Sequence, residues 1–297
     1  MNKTPLLFDL NDGSSLADSL CHLLQAETGE LNRRQFPDGE SYLQVVSPAN
    51  GRDIIVLCTL YQPDSKFLPL IYLAETLKEM GARKVILVAP YLAYMRQDKR
   101  FKQGECVTSR HFAALISRSF DALITVDPHL HRYNSLDEVY SIPGIVVQSA
   151  NSVAHWISQQ IEQPLLIGPD IESEQWVAEV ARLAGAPFEV LLKERHGDRD
   201  VRVSLPHVEN YLQHTPVLVD DIISSGRTML ETIEHLKNAG MAPVICIGTH
   251  GLFADRAYQQ MQASHTADVI TCNTVNHQSN AIDMAPALAE AIREHLS

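Results

Sequence analysis

Short, almost uninterrupted apolar runs recur along this chain, separated by longer amphipathic segments, and this alternation restricts the fold more than any other feature. The pattern predicts buried strands at 53–58, 84–89, 122–126, 144–147, 165–167, 189–192, 217–219, 244–247 and 268–271. Helices are expected at 66–80, 152–160 and 229–238, with Gly81 as a C-terminal stop. Strands that are apolar on both sides must be covered on both faces, which calls for parallel sheets with crossover helices. A division at 147/148 gives two α/β halves, residues 1–147 and 148–297. Their repeat is architectural only, because the two sequences do not align.

The densest chemical signal lies at the end of the 217–219 strand. There Asp220 and Asp221 are followed by Ile222, Ile223, Ser224, Ser225, Gly226, Arg227 and Thr228, and then by a helix. Small hydroxyl residues at a helix N-terminus gather backbone N–H groups and the positive end of the dipole at one point, which attracts an anion. Two adjacent carboxylates would repel a bare phosphate. They suit a sugar phosphate, with the loop on the phosphate and the acids on ribose hydroxyls or a metal-bound sugar. The plainer alternative is a strand–turn–helix corner capped by Ser and Asp.

An anion ligand is notable here because the 297 residues include 24 Lys and Arg against 36 Asp and Glu, a formal charge of −12. That balance disfavours a nucleic-acid partner. Phosphates must then be held by local cation clusters or a divalent metal. Arg96, Gln97, Asp98, Lys99 and Arg100 follow the 84–89 strand and form one such cluster, suited to a triphosphate or merely solvated. Lys193, Glu194, Arg195, His196, Gly197, Asp198 and Arg199 form another. They read as a mobile basic loop closing over transferring phosphates, or as a charged hairpin tip.

Acidic clusters also fall at strand ends, where parallel sheets bind ligands. Asp127, Pro128, His129 and His131 follow the 122–126 strand, and Asp170 follows Gly168 and Pro169. His129 suits Mg²⁺-associated water or a nucleotide, since Mg²⁺ itself prefers oxygen; the alternative is a capping Asp with surface histidines. Phe36, Pro37, Asp38, Gly39 and Glu40 form a turn that is either plain or built for base and ribose recognition by stacking and carboxylate acceptors. Neither a GxxxxGK[ST] loop nor a GxGxxG fingerprint occurs. The five cysteines have no CxxC spacing, which points to reduced thiols and no structural zinc. No signal-peptide core or membrane-length apolar run is present, so a soluble cytoplasmic protein without membrane contact is expected.

In order and in register, these segments resemble the ribose-phosphate pyrophosphokinase (phosphoribosyl pyrophosphate synthetase) family, and its divergent archaeal type in particular. The resemblance runs from the Phe36–Glu40 turn to Asn280 and Asp283. It implies two tandem type I phosphoribosyltransferase-like domains, each a mainly parallel sheet flanked by helices. It further implies ATP held by Phe36, Asp38, Gly39, Glu40, Arg96 and Gln97, and ribose 5-phosphate held by Asp220, Asp221, Ser224, Ser225, Gly226, Arg227 and Thr228. Mg²⁺ would lie at His129 and Asp170, and Lys193 and Arg195 would be the catalytic cations. The Phe36–Glu40 turn commonly reaches a neighbouring subunit in this family, so a homo-oligomer, at least a dimer, is expected.

This chain departs from the family at four points. Ser224 and Ser225 open the phosphate loop, and Arg227 stands where a small residue is usual, either solvated or adding a phosphate contact. Acids at Glu172 and Glu174 replace a glycine-rich turn. The 130–136 segment lacks the Gln-Gly-Phe-Phe-like run, which puts hexamer assembly and phosphate/ADP regulation in question. Two competing readings are a catalytically silent ligand-binding relative and a phosphoribosyltransferase that consumes the product. Retention of Lys193, Arg195, Asp220 and Asp221 favours the working synthetase over the silent form.

Overall fold

The apolar runs become two parallel sheets of the same design. In the first lie β1 (Leu6–Asp9), β2 (Glu27–Thr28), β5 (Asp53–Leu57), β6 (Lys84–Ala89), β7 (Ala122–Val126) and β8 (Gly144–Val147), in the order β2-β1-β5-β6-β7-β8. A two-stranded antiparallel ribbon, β3 (Leu31–Gln35) and β4 (Ser41–Val45), is inserted before β5. The second sheet holds β9 (Pro164–Gly168), β10 (Phe188–Val190), β13 (Thr215–Ile223), β14 (Val244–Gly251), β15 (Thr266–Cys272) and β16 (Asn280–Ile282), in the order β10-β9-β13-β14-β15-β16. It too carries an inserted ribbon, β11 (Leu192–His196) with β12 (Asp200–Ser204). The computed structural model describes residues 3–11, 13–130, 132–196, 200–204 and 208–296, and of 172, 192–196, 200–204 and 208 the backbone alone.

Burial follows from composition. Every residue of β5 and β7 is buried, as are all but the first of β6, so both faces of these strands are covered. The helices α1 (Ser15–Leu24), α2 (Asp64–Glu79), α3 (Thr108–Ser119), α4 (Ala150–Gln160), α5 (Glu174–Ala184), α6 (Arg227–Asn238) and α7 (Ala257–Gln262) supply the cover through amphipathic stripes. In α6 the buried positions Met229, Thr232, Ile233 and Leu236 follow the i, i+3, i+4, i+7 pattern.

Contacts divide the chain into Met1–Gln148 together with Met284–Ser297, and Ser149–Asp283. The final segment was expected in the second half, but its helix α8 (Ala285–Arg293) packs with α1, β7 and β8. Leu288, Ala289 and Ile292 are buried there, Arg293 Nη2 donates to the Leu23 carbonyl at 2.7 Å, and Lys84 Nζ donates to that of His295 at 2.8 Å. Sequence order places α8 after β16, but its apolar stripe is buried in the other unit.

Two further expectations are corrected. The predicted 189–192 strand is broken at buried Leu191, where the chain leaves the sheet after β10 and starts the ribbon at β11. Lys193 and Arg195 therefore stand on a paired strand instead of in a loop. Gly197, Asp198 and Arg199 lie outside the described residues, as does His131.

Candidate active site

In the second sheet the strand order reverses between β9 and β13, and the crevice beyond such strand ends is where open parallel sheets bind ligands. Asp170 follows β9, and the Asp220–Thr228 segment closes β13. The strand continues to Ile223, so Asp220 and Asp221 belong to β13 itself, and α6 begins at Arg227, two residues earlier than expected. Asp221 donates its amide to Asp220 Oδ1 at 3.0 Å.

Gly226 is the N-cap of α6, with φ of 66°. That left-handed conformation favours glycine, and a Cβ there would lie 3.2 Å from the Ala257 Cβ. The cap brings no side chain to the first-turn amides, and that turn contains no acid. Ser224, Ser225 and Thr228 are half-buried beside it, while Arg227 is exposed. The positive end of α6 therefore carries no side-chain cap and no acid of its own first turn.

Carboxylates are crowded around Asp220. Burial, then the neighbouring Asp221 and Asp170 carboxylates, push Asp220 well above the ordinary carboxylate range. Asp170 also anchors the next turn, accepting the Ser173 amide on Oδ1 at 3.1 Å and the Ser173 hydroxyl on its carbonyl at 2.7 Å.

The first sheet has the same reversal between β1 and β5, but its polar groups satisfy one another. Asp9 accepts the amides of Asn11 at 2.9 Å, Gly13 at 3.2 Å and Ser14 at 2.9 Å, and the Ser14 hydroxyl at 3.1 Å. Asn11 Oδ1 accepts the Thr59 amide at 2.8 Å, and α2, the counterpart of α6, opens with Asp64. Of the two equivalent corners, the second is the one suited to an anion.

The remaining first-unit candidates form two groups. Phe36–Glu40 is the tip of the β3–β4 ribbon, closed by bonds from the Phe36 amide to the Glu40 carbonyl (2.8 Å) and from the Gly39 amide to the Phe36 carbonyl (2.9 Å). Phe36 and Asp38 through Glu40 are exposed. Sequence reasoning missed Arg34, whose guanidinium stacks 4.4 Å from the Phe36 ring and 4.4 Å from that of Tyr42. Its two-residue spacing from Phe36 along an exposed strand was the available signal.

After β6, Arg96 is exposed and Gln97 half-buried. The Gln97 carbonyl accepts the Ser109 amide at 3.4 Å, and its side-chain Oε1 accepts the Thr108 hydroxyl at 3.4 Å. His129 is half-buried after Asp127, whose φ is 32°. Also missed was the contact of Asp98 with Arg132 and Tyr133, which spans 34 or more positions and leaves no local pattern. Among the described residues, no three His, Cys, Asp or Glu side chains form a ready-made cation cluster, and no helix is long and apolar enough to cross a membrane.

Comparisons with known proteins agree with this layout. The family model for the N-terminal domain of ribose phosphate pyrophosphokinase matches residues 6–119, and that for the phosphoribosyl transferase domain matches residues 135–287. The ribose-phosphate pyrophosphokinase of Methanopyrus kandleri is 32% identical over 97% of this chain and 98% of its own. That of Sulfurisphaera tokodaii is 31% identical over 94% of this chain and 97% of its own. The crystal structure of phosphoribosylpyrophosphate synthetase from Mycobacterium smegmatis has the same fold, with a TM-score of 0.85 over 99% of each chain at 24% identity. With its duplicated sheets and these matches over nearly its whole length, the chain belongs to the ribose-phosphate pyrophosphokinase family.

Proposed function

We propose that this protein transfers the pyrophosphoryl group of ATP to the C1 hydroxyl of ribose 5-phosphate, giving 5-phosphoribosyl 1-pyrophosphate and AMP. In this family member, the uncapped start of α6 beside the Asp170, Asp220 and Asp221 carboxylates carries the reading. Ser224, Ser225, Gly226 and Thr228 would hold the 5-phosphate on backbone amides and hydroxyls, with Arg227 at the helix start adding positive charge. Asp220 and Asp221 would accept hydrogen bonds from the ribose hydroxyls. Phe36, Asp38, Gly39, Glu40, Arg96 and Gln97 would bind ATP, the ring stacking on the base and Arg96 on the phosphates.

The C1 oxygen attacks the β-phosphorus, the bond from that phosphorus to the α–β bridging oxygen breaks, AMP leaves, and the hydroxyl proton passes to solvent. Catalysis of such transfers is positioning and charge stabilisation. Lys193 and Arg195, two apart on β11, would meet the charge that develops on the transferring group.

Like-charge crowding at Asp220 fits a divalent cation nearby, and the oxygen-rich donors fit Mg²⁺. Asp170 would hold it in the second unit; in the first unit His129 would contact the water or phosphate of Mg²⁺-bound ATP. Bound with ATP, Mg²⁺ supplies neutralising charge to the triphosphate.

We place the enzyme in the cytoplasm as at least a homodimer, since the exposed ribbon tip suits a neighbour's site; a monomeric mass by sedimentation would remove that assignment. The activity itself is tested by supplying ATP labelled at the β-phosphate. Label appearing on the sugar in proportion to AMP supports it, while label left in ADP identifies a different reaction.

A further inference from the structure

The segment carrying Arg96 and Gln97 is fastened to the segment carrying His129 by an ion pair between a buried acid and an exposed guanidinium. Asp98 is only 5% exposed, and its Oδ1 accepts from Arg132 Nη1 at 2.6 Å. A carboxylate removed from water at this depth is costly unless a cation meets it. Among the described residues Arg132 is that cation. The adjacent Tyr133 hydroxyl reaches the Asp98 carbonyl at 3.3 Å and shares a 3.1 Å bond with the buried Ser109 hydroxyl, on the same helix turn whose amide binds Gln97.

The distal part of the basic segment is held separately. Glu105 accepts the amides of Phe101 at 2.8 Å and Lys102 at 2.9 Å, and its carbonyl accepts Arg100 Nε at 3.0 Å. The Phe101 ring lies 5.0 Å from Lys99 Nζ and 5.6 Å from the Arg132 guanidinium. Arg132 thus touches the basic segment at its middle, Asp98, and just beyond it, at the Phe101 ring, while standing three residues after His129. It lies within 130–136, where the Gln-Gly-Phe-Phe-like run is missing.

We propose that Arg132 is a positioning residue for the nucleoside triphosphate. Through Asp98 it fixes where Arg96 and Gln97 present their groups and sets them against the His129 segment. This inference rests on the ATP-binding role given above to Arg96 and Gln97. The clamp lies wholly in the first unit, so it governs the nucleotide and leaves the sugar site untouched.

The test measures KM for both substrates and, separately, MgATP affinity by equilibrium titration without sugar. Arg132→Gln should weaken MgATP about tenfold or more in both assays, with KM for ribose 5-phosphate unchanged within about twofold. Arg132→Lys keeps the charge without the planar fork and should fall between. The double variant Asp98→Asn/Arg132→Gln, which removes the buried unpaired charge, should recover much of the loss and keeps the test open if the single variant does not fold. Unchanged MgATP affinity in a folded Arg132→Gln, or equal weakening of both substrates, overturns the clamp. If wild type makes no sugar-dependent AMP, the functional reading fails, and the titration alone still decides the clamp.

Discussion

Lys193→Ala is expected to slow AMP formation by about 10²–10³-fold, the usual cost of removing one donor aimed at developing charge. MgATP affinity should change little, because the ATP residues assigned above all lie in the first unit, whereas Lys193 stands on the β11–β12 ribbon of the second. A loss confined to kcat marks an interaction made only in the transition state. Arg195→Ala should behave alike, given its two-residue spacing on β11. Single-turnover assays with saturating ATP make the comparison. Equal inactivity of wild type and Lys193→Ala would instead favour the silent ligand-binding relative.

Asp220→Asn is expected to move activity and stability in opposite directions. The carboxylate is raised well above the ordinary range by burial and by Asp221 and Asp170. Between the unfolded pKa of about 3.9 and that raised value, the native state keeps a proton the unfolded chain has released. Stability attributable to this group is therefore full at low pH and declines as pH rises towards the folded pKa. Asparagine removes the penalty. At neutral pH with chelator and no substrate, Tm should rise by roughly 2–4 °C, what 1 kcal/mol gives a domain of this size. The gain should vanish below about pH 4, where the unfolded wild-type chain is protonated as well as the folded one. Activity should fall about 10²-fold, as expected for losing one charge-assisted hydrogen bond to a ribose hydroxyl. A lower Tm for the variant at neutral pH would mean that the carboxylate is satisfied within the fold and does not await a ligand.

The parts that were legible in the sequence carry their reason locally. β5, β6 and β7 show as apolar runs because parallel strands are buried on both faces. The Asp220–Thr228 corner shows because the strand end, loop and helix cap are contiguous. The ribbons did not show, since β3 has four exposed polar residues out of five and no alternation to detect. Lys193 and Arg195 were found by charge but placed in a loop for the same reason. The return of α8 to the first unit, and the Asp98–Arg132 pair, depend on contacts between distant positions that no local pattern encodes.

The central claim is that this anion corner holds a sugar phosphate so that its C1 oxygen attacks the β-phosphorus of ATP. The direct measurement is nucleotide analysis of purified protein with ATP and Mg²⁺, with and without ribose 5-phosphate. AMP formed only with the sugar, in a one-to-one ratio with 5-phosphoribosyl 1-pyrophosphate, is the predicted result. AMP released at the same rate without sugar, or no AMP from a folded protein under varied metal and phosphate, would contradict it.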